Sequence, residues 1–325
     1  MILVTGGAGY IGSHVVKQLG CKGYDVVVYD NLSTGKKERI KHGLFIKGDL
    51  CDIKRLEHVF QKYNITSVMH FAADIKVDES VTNPSKYYKN NLVNSLNLMN
   101  LMNKYNVNNF IFSSTAAVYG NVQNTIVDES YSSKPINPYG KSKYMVEEIL
   151  SDFSQAYNFN YVTLRYFNVA GADPDGEIGQ DYKNSTHLIT RTLKTVKGEY
   201  DKLQVFGDNY STPDGTCIRD YIHVADLATA HILALDYLVK GGQSNTFNVG
   251  YNKGYSVKEV IRMVEKVTGH KVNYEIVNRR LGDAPAIIAD NTKILSYLHW
   301  KPKYDDLEEI VRTSWEWEAK LLINN

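Results

Sequence analysis

The stretch Val4-Thr5-Gly6-Gly7-Ala8-Gly9-Tyr10-Ile11-Gly12 decides the fold of this chain, because a glycine-rich turn follows directly on a short apolar segment. Its last glycines fit G-x-G-x-x-G, which allows a tight turn, close approach of the backbone to a pyrophosphate, and packing of helix on strand. The pattern predicts a strand over residues 1–4 and a helix over residues 10–19. The free N–H groups at the start of that helix would face the pyrophosphate of a dinucleotide.

A second apolar segment supports this interpretation. Residues 25–29 end in Asp30, about 20 residues after the glycines, where the dinucleotide motif has an acid for the ribose hydroxyls. A carboxylate at this place would repel a 2′-phosphate. The sequence therefore predicts NAD rather than NADP.

Composition excludes several other classes of protein. The 325 residues include 37 Lys and Arg against 36 Asp and Glu, so no basic surface is left for a nucleic acid. No apolar run of about 18 residues and no leader pattern is present, and we expect a soluble, cytoplasmic protein without a membrane partner. Cys21, Cys51 and Cys217 are widely spaced, and the histidines are scattered, so neither a disulfide framework nor a metal site is expected.

Strand and helix patterns alternate through the first half of the chain, which indicates an α/β fold with a doubly wound parallel sheet, the Rossmann fold. After a polar loop over 171–185, a smaller C-terminal α/β portion follows, with short strands near 204–206, 246–249 and 272–276. We predict an NAD-binding domain over 1–170 and a substrate domain over 171–325, with part of 220–250 packing back on the first. Predicted strands in the first domain are 45–46, 67–71, 109–113 and 161–166, and predicted helices are 53–63, 87–104 and 138–159.

Candidate catalytic groups stand at the start of the last of these helices. After Asn137-Pro138, Tyr139 and Lys143 are four residues apart and share one helix face. A neighbouring ammonium and an oxidised nicotinamide would lower the pKa of the phenol towards the range of a general base. Thr115, at the end of a predicted strand, would place its hydroxyl at the edge where α/β sheets bind ligands.

Several longer motifs add to these residues, and together they resemble the extended short-chain dehydrogenase/reductase family. The segments that carry the resemblance are 5–12, 112–120, 139–143, 165–171, 214–224 and 279–283, so that it spans nearly the whole chain. Within that family they are most similar to enzymes that epimerise UDP-hexoses at C4. The resemblance implies a UDP-sugar substrate and a homodimer formed through two long helices, over 86–104 and 144–157.

The resemblance also implies roles for individual residues. Thr115, Tyr139 and Lys143 would be catalytic. NAD would be held by Gly6, Gly7, Gly9, Tyr10, Ile11, Gly12, Asp30, Asn31, Asp49, Leu50, Phe71, Ala72, Ala73, Asn90, Ser113, Tyr139, Lys143, Tyr166 and Phe167. The substrate would be held by Thr115, Asn168, Leu188, Arg219, Arg280, Asp283 and Ile287.

Arg219 and Arg280 are chemically suited to bind the UDP part of the substrate, since two guanidinium groups match a diphosphate. One departure from the family concerns Lys76, which stands one place later than the lysine of many members. No cofactor contact is assigned to it.

The residues after Thr115 help to choose between reactions, because the fold alone does not. Sugar-nucleotide dehydratases of this family have Asp-Glu there, whereas this chain has Ala116-Ala117, which disfavours elimination. The expected reaction is the interconversion of UDP-glucose and UDP-galactose through a 4-keto intermediate. Two alternatives stay open. Ile287 is smaller than the aromatic residue of strict hexose enzymes and could admit UDP-N-acetylglucosamine, and a Rossmann fold can also bind NAD without catalysis.

Overall fold

The computed structural model describes residues 1–123, 125–182, 185–280 and 283–323. The strands are β1 (Ile2–Thr5), β2 (Val26–Asp30), β3 (Leu44–Lys47), β4 (Ser67–His70), β5 (Asn109–Thr115), β6 (Ile126–Val127), β7 (Asn160–Tyr166), β8 (Asn168–Ala170), β9 (Leu203–Phe206), β10 (Ile218–Arg219), β11 (Tyr221–His223), β12 (Asn245–Val249), β13 (Tyr255–Ser256), β14 (Tyr274–Val277) and β15 (Ala286–Ala289). The α-helices are α1 (Tyr10–Cys21), α2 (Ile53–Lys62), α3 (Val77–Thr82), α4 (Pro84–Tyr87), α5 (Asn94–Lys104), α6 (Pro138–Ala156), α7 (Leu188–Val196), α8 (Val224–Val239), α9 (Val257–Thr268), α10 (Thr292–Leu298) and α11 (Leu307–Ile323).

Seven of the described strands form one parallel sheet in the order β12-β7-β5-β4-β1-β2-β3, which confirms the doubly wound fold. Neighbouring residues of a strand point to opposite faces. Val4 accordingly belongs to the core beneath α1 and α8, whereas Leu3 belongs to the core beneath α2, α5 and α6. Burial on both faces explains why the central strands are nearly all apolar.

The sheet differs from the sequence prediction at one edge. Residues 246–249 were expected among the short strands of the C-terminal portion, but β12 pairs in parallel with β7, so it completes the central sheet. Helix α8, which precedes it, packs against α1. The edge strand β12 pairs with β7, which is distant in the sequence, and local hydrophobic patterns do not indicate such a long-range pairing.

The predicted helix over 87–104 is also wrong in its details. The structure begins it earlier, with α4 at Pro84, and places a π-helix over Tyr88–Val93 before α5. The Asn83 side chain caps α4 by accepting a hydrogen bond from the backbone N–H of Lys86. A π-helical turn inserts an extra residue, which shifts the side chains that follow it around the helix axis.

The C-terminal portion is joined to the sheet by a buried carboxylate. Asp220 accepts hydrogen bonds from the backbone N–H groups of Tyr251 (2.9 Å), Asn252 (3.1 Å) and Ala289 (3.2 Å). Its own carbonyl accepts from the N–H of Asn168 at 3.0 Å. Burial raises the pKa of the Asp220 carboxyl to about 7, against the effect of these bonds. This one side chain therefore fixes β15 and the turn after β12 beside β8.

The glycine-rich turn leaves no room for side chains at two of its positions. Gly6 has φ of +73°, and a Cβ there would lie 2.5 Å from the backbone nitrogen of Ala72. A Cβ on Gly12 would lie 2.4 Å from the carbonyl oxygen of Gly6, whereas one on Gly9 would be 3.2 Å from the same atom. The turn and the start of α1 therefore pack backbone against backbone.

This geometry predicts that Gly12→Ala destabilises the protein by about 1–3 kcal/mol, because the new methyl group displaces the turn from α1. Thermal unfolding measured by circular dichroism checks the effect, and Gly9→Ala is the matched control with a much smaller shift. Equal melting temperatures for the two variants would contradict this account of the turn.

Candidate active site

Most of the predicted cofactor residues lie at the carboxyl edge of the central sheet. They occupy the turn after β1 and the start of α1 (Gly6, Gly7, Gly9, Tyr10, Ile11, Gly12), the ends of β2 and β3 (Asp30, Asn31, Asp49, Leu50), the segment after β4 (Phe71, Ala72, Ala73), and the ends of β5 and β7 (Ser113, Tyr166, Phe167). Parallel strands end at one edge, so residues from distant parts of the sequence converge there.

Asp30 is anchored beside the glycine-rich turn. Its carboxylate oxygens accept hydrogen bonds from the backbone N–H groups of Ala8 at 3.0 Å and of Leu32 at 2.8 Å. Burial raises the pKa of the carboxyl, while the two backbone bonds act in the opposite direction. Both bonds fix the carboxylate where a ribose attached to the pyrophosphate would lie.

Asn31 and Asp49 form a pair next to Asp30. The Asn31 amide donates to Asp49 Oδ2 at 2.7 Å, and a bond from the backbone N–H of Cys51 holds the pKa of Asp49 below its usual value. This carboxylate is therefore charged and fixed. It lies beyond the end of β3, on the far side of Asp30 from the turn.

Ser113 is buried and hydrogen-bonded to a histidine. It is only 1 % exposed, and its hydroxyl lies 3.2 Å from His231 Nε2. His231 Nδ1 lies 2.9 Å from the Leu227 carbonyl and must donate to it, so Nε2 accepts from Ser113. The His231 ring also lies 4.8 Å from that of Phe71. The sequence carried no signal for His231.

Asn90 and Lys76 lie on the helical segments beyond β4. Asn90 is on the π-helix and donates to Asp74 Oδ2 at 2.9 Å. Lys76 precedes α3, and its backbone carbonyl accepts a hydrogen bond from the Tyr87 hydroxyl at 2.6 Å. The backbone of Lys76 thus holds α3 against α4.

Lys143 is buried under the end of β5. Asn137 caps α6 by accepting from the N–H of Gly140 at 2.8 Å, and Pro138 is the first helical residue, as the sequence predicts. Lys143 Nζ donates to the carbonyl of Ser113 at 2.8 Å and lies 4.8 Å from the centre of the Phe112 ring. Burial lowers the pKa of the Lys143 ammonium to about 7.

Tyr139 corrects the expectation about its pKa. In the protein alone burial dominates and raises the pKa of the phenol, while a hydrogen bond with the Thr115 side chain lowers it. The direction is opposite to the one expected from a neighbouring ammonium. Ionisation of Tyr139 at neutral pH therefore requires a further positive charge at the site.

Most of the predicted substrate residues lie on the C-terminal portion, whereas Thr115 and Asn168 precede it in β5 and β8. Arg219 Nη2 is 3.5 Å from Asp283 Oδ1, and the guanidinium of Arg280 stacks 3.8 Å from the centre of the Phe206 ring. Asn168 begins β8 and is exposed, and Leu188 begins α7 and is half-buried. Residues 281 and 282 of this motif lie outside the described residues.

Ile287 connects the substrate portion with the catalytic strand. It pairs with Arg219 across β10 and β15, and it packs against a small apolar cluster. That cluster contains Val118 and Phe167, which follow β5 and β7, and Ala116 packs on it as well. Ile287 is therefore paired with Arg219 through its backbone and packs on the cluster that follows the strand carrying Thr115.

The loop after β8 is fastened to the nucleotide-binding helix. The Tyr10 hydroxyl donates to the Gly171 carbonyl at 2.6 Å, and Lys17 pairs with Asp173 at 2.7 Å. Further along the loop, Asp181 pairs with Lys36. The described part of this loop thus crosses from the substrate portion to the glycine-rich turn.

Comparison with known proteins agrees with this geometry. The model of the NAD dependent epimerase/dehydratase family matches residues 2–250. The chain belongs to this family. It is 46 % identical to a UDP-glucose 4-epimerase of Halalkalibacterium halodurans, over 98 % of this chain and 96 % of the relative.

Solved structures of the family superimpose closely. A UDP-glucose 4-epimerase from Brucella ovis in complex with NAD is 44 % identical, with a TM-score of 0.94 over 97 % of both chains. A UDP-Glc/GlcNAc 4-epimerase from Campylobacter jejuni is 48 % identical, with a TM-score of 0.87 over 98 % of this chain and 99 % of that one. Membership of the family thus rests on sequence and fold over nearly the whole chain.

The described residues show neither a metal-binding cluster nor a membrane-spanning helix. Within the described ranges no group of three or more His, Cys, Asp or Glu side chains is arranged to hold a metal ion. No helix among those residues is long and apolar enough to cross a bilayer.

The position of Asp30 leads to a prediction about cofactor choice. Asp30→Ala should relax discrimination against NADP, because it removes a repulsive charge near the 2′-position without adding a contact. The measurement is the ratio of dissociation constants for NAD and NADP, determined by calorimetry on protein freed of nucleotide. Asp52→Ala, which removes the exposed cap of α2, is the control and should leave the ratio unchanged. Equal affinities of the unmodified protein for both cofactors would contradict the assignment.

Proposed function

We propose that this chain interconverts UDP-glucose and UDP-galactose by reversible oxidation at C4 through a 4-keto intermediate. The observation that carries the proposal is the Tyr139 phenol, bonded to Thr115 and one helical turn from the buried Lys143, at the carboxyl edge of a dinucleotide-binding sheet. Two alanines follow Thr115, so an acid for eliminating water is missing from that place.

The residues at the turn and the strand ends fit NAD. The space that a Cβ of Gly6 or Gly12 would fill is taken by backbone, which leaves the amides at the start of α1 facing the pyrophosphate position. Asp30 would bind the adenosine ribose, and Asp49 the adenine. The bound NAD would supply the hydride-transfer chemistry at C4 of the sugar.

The chain's own groups manage the proton. Tyr139 removes the proton from the 4-hydroxyl and gives it back after the sugar turns. Thr115 bonds the same oxygen and orients it. Lys143 stabilises the phenolate and binds the cofactor ribose. The hydrogen bond from its ammonium to the Ser113 carbonyl fixes the position of the Lys143 side chain.

The C-terminal portion would bind the UDP part of the substrate. We assign residues 1–170 to the cofactor and 171–325 to the substrate, with α8 and β12 packed on the first. Arg219 and Arg280 bind the diphosphate, Asp283 binds the ribose hydroxyls, and Asn168 and Leu188 complete the site. Affinity then comes mainly from UDP, and the sugar stays loose enough to rotate.

A second candidate function is epimerisation of N-acetylated UDP-hexoses as well. It is favoured by Ile287, whose aliphatic side chain lies beside Ala116 and Phe167, and by the 48 % identity to the Campylobacter jejuni UDP-Glc/GlcNAc 4-epimerase. A catalytically silent NAD-binding protein is disfavoured, because Thr115, Tyr139 and Lys143 are all present and brought together.

We also infer a homodimer formed through the π-helix and α6. A groove of about 580 Å³ between them is lined by Leu92, Met145, Glu148, Ile149, Ser151 and Asp152. Val93 and Met145 are exposed at its border, and a second copy related by a two-fold axis would bury both. A cytoplasmic location fits the three cysteines, all of which are free.

The role of Tyr139 gives a direct prediction. Tyr139→Phe should keep the fold and the bound NAD but lower kcat by about 100-fold or more, since only the ionisable oxygen is lost. The product assay is the formation of UDP-galactose from UDP-glucose by chromatography. Tyr144→Phe on the same helix is the control, with near-normal turnover. Near-normal turnover of Tyr139→Phe would remove this residue from the mechanism.

The position of Ile287 predicts substrate choice. The unmodified enzyme should accept UDP-N-acetylglucosamine as well as UDP-glucose, and Ile287→Tyr should reduce kcat/KM for the acetylated substrate by about tenfold to a hundredfold more than for UDP-glucose. Ile287→Val, which only enlarges the space, is the control and should retain both activities. A parallel loss of both substrates in Ile287→Tyr would show that this residue does not control the sugar.

The inferred interface predicts that Met145→Glu yields a monomer, because a carboxylate would be buried at the two-fold contact. Analytical ultracentrifugation measures the mass directly. Val239→Glu, at an equally apolar exposed position at the end of α8, is the control and should stay dimeric. A dimeric Met145→Glu protein would place the interface elsewhere.

A further inference from the structure

A buried ion pair lies directly behind the catalytic groups. Arg165 on β7 donates through Nη2 to Glu147 Oε2 at 2.6 Å, and through Nε to both carboxylate oxygens at 3.1 and 3.2 Å. The exposed fractions of the two side chains are 8 % and 7 %. This is a bidentate pair held away from water, and the mechanism proposed above does not use it.

The pair connects the elements that carry the catalytic residues. Glu147 follows Lys143 by one turn on α6, and its carboxylate also accepts a hydrogen bond from the Ser114 hydroxyl. Arg165 lies in register with Ser114 in the neighbouring strand. One carboxylate thus fastens the helix of Tyr139 and Lys143 to the strand that ends in Thr115.

Arg165 extends the connection to the sugar side of the site. Its Nη1 donates to the Tyr119 hydroxyl at 3.2 Å, and that hydroxyl donates to Asn248 Oδ1 at 2.6 Å. Asn248 in turn donates to the carbonyl of Val127 at 2.9 Å, in the strand β6 that pairs with β15. The network therefore ends at the strand of Ile287.

Stability alone gives little reason for such a pair. Buried ion pairs seldom stabilise a fold more than apolar side chains of the same volume, because both charges must be removed from water. A neutral network could fasten the same elements. What only charged groups supply is an electrostatic potential at neighbouring groups.

We propose that Glu147 and Arg165 are positioning residues of the active site, which hold Lys143 and Thr115 in register and keep the Lys143 side chain in its charged form. The predicted effect on turnover rests on the proposed function, whereas the predicted effect on the pKa of Lys143 does not. Neither residue touches the substrate or the cofactor.

The effect of the Glu147–Arg165 pair on the pKa of Lys143 can be separated from the effects of the other titratable groups around it. Glu147 acts on Lys143 from the same helix, on which Tyr139 lies one turn before it, and His70 acts on it from β4. Arg165 on β7 is paired with Glu147. Tyr166 and His231 are hydrogen-bonded to Ser113, whose carbonyl accepts from Lys143 Nζ. Burial brings the pKa of His70 to about 3 and that of His231 to about 4, so both are neutral at pH 7. Glu147 raises the pKa of Lys143 against the effect of burial.

The two charges therefore predict opposite effects. Glu147→Gln removes a negative charge and should lower the pKa of Lys143, whereas Arg165→Met removes a positive charge and should raise it. Both changes disrupt the hydrogen bonds between Arg165 and Glu147. A merely structural connection would shift the pKa of Lys143 in the same direction in both variants, or not at all.

The test measures Lys143 directly in the holoenzyme. Carbon-13 resonances of lysine Cε are followed against pH, and Lys143 is assigned by its loss in Lys143→Met. We expect its apparent pKa to shift down by about half a unit or more in Glu147→Gln and upward in Arg165→Met. Ser114→Ala, which removes one bond and no charge, is the control and should not shift it. Shifts of one sign, or none, overturn the proposal.

Turnover supplies a second readout. The basic limb of the kcat profile should move with the Lys143 pKa, and kcat at neutral pH should fall at least about tenfold in Glu147→Gln while KM for UDP-glucose changes little. An inactive unmodified enzyme with the expected Lys143 shifts would refute the proposed function and leave the positioning role standing.

A double variant covers the case in which a single one does not fold. Glu147→Gln with Arg165→Met leaves no unpaired buried charge. Its Lys143 pKa should fall, since Glu147, one helical turn from Lys143, has a larger effect on that ammonium than Arg165, which acts through its pairing with Glu147. An unchanged Lys143 pKa in this protein overturns the proposal.

Discussion

Seven parallel strands end at one edge of the central sheet, and the site depends on this constraint. A parallel sheet places the carboxyl ends of all its strands together, so residues far apart in the sequence converge there. They are the turn after β1, Asp30 at the end of β2, Phe71 after β4 and Thr115 at the end of β5. The backbone contacts at Gly6 and Gly12 then fix the distance between the turn and its neighbours. Chemistry can be built there because the supporting strands are rigid and buried on both faces.

The C-terminal portion is joined to the central sheet by a few buried polar groups. Asp220 holds β15 and the turn after β12, and Asp226 accepts from the Tyr251 hydroxyl at 2.6 Å and from the backbone of Lys303 and Tyr304. Burial raises the pKa of both carboxyls. Because these pKa values are higher in the folded protein than in the unfolded chain, protonation of the two carboxyls as the pH falls favours the folded state.

The sequence predicted the nucleotide half of the fold well because its signals are local. Each strand there is a run of apolar residues, and α1, α2 and α6 begin at recognisable turns or caps. The two-residue strands β6, β10 and β13 could not be predicted, because so few residues show no period and pairing alone makes them strands. For the same reason the pairing of β12 in the central sheet could not be predicted, although part of 220–250 was expected to pack on the first domain. The partner of β12, β7, lies about 80 residues away, and the sequence does not encode that distance locally.

The candidate site likewise contains residues that local sequence spacing predicts and residues that only the folded structure indicates. Tyr139 and Lys143 follow from helical spacing, and Glu147, one turn further, could have been found by extending that spacing. Arg165 begins the segment 165–171 that carries the family resemblance, but its role becomes apparent only from its ion pair with Glu147 in the folded chain. His231 belongs to a helix buried on nearly all sides, so no amphipathic pattern singles it out.

Burial has opposite consequences for the two members of the catalytic pair. It raises the pKa of Tyr139 and lowers that of Lys143 to about 7, so the protein alone favours a neutral phenol and holds the ammonium only weakly. The charge-separated pair that the reaction needs is thus disfavoured until another positive charge is near, and the positively charged ring of the oxidised cofactor is such a charge. In the proposed mechanism the phenolate would therefore be populated mainly in the complex with the oxidised cofactor, which ties proton removal to the presence of the oxidant. A site with an exposed phenol and an exposed ammonium would lack this dependence, because water would screen both groups.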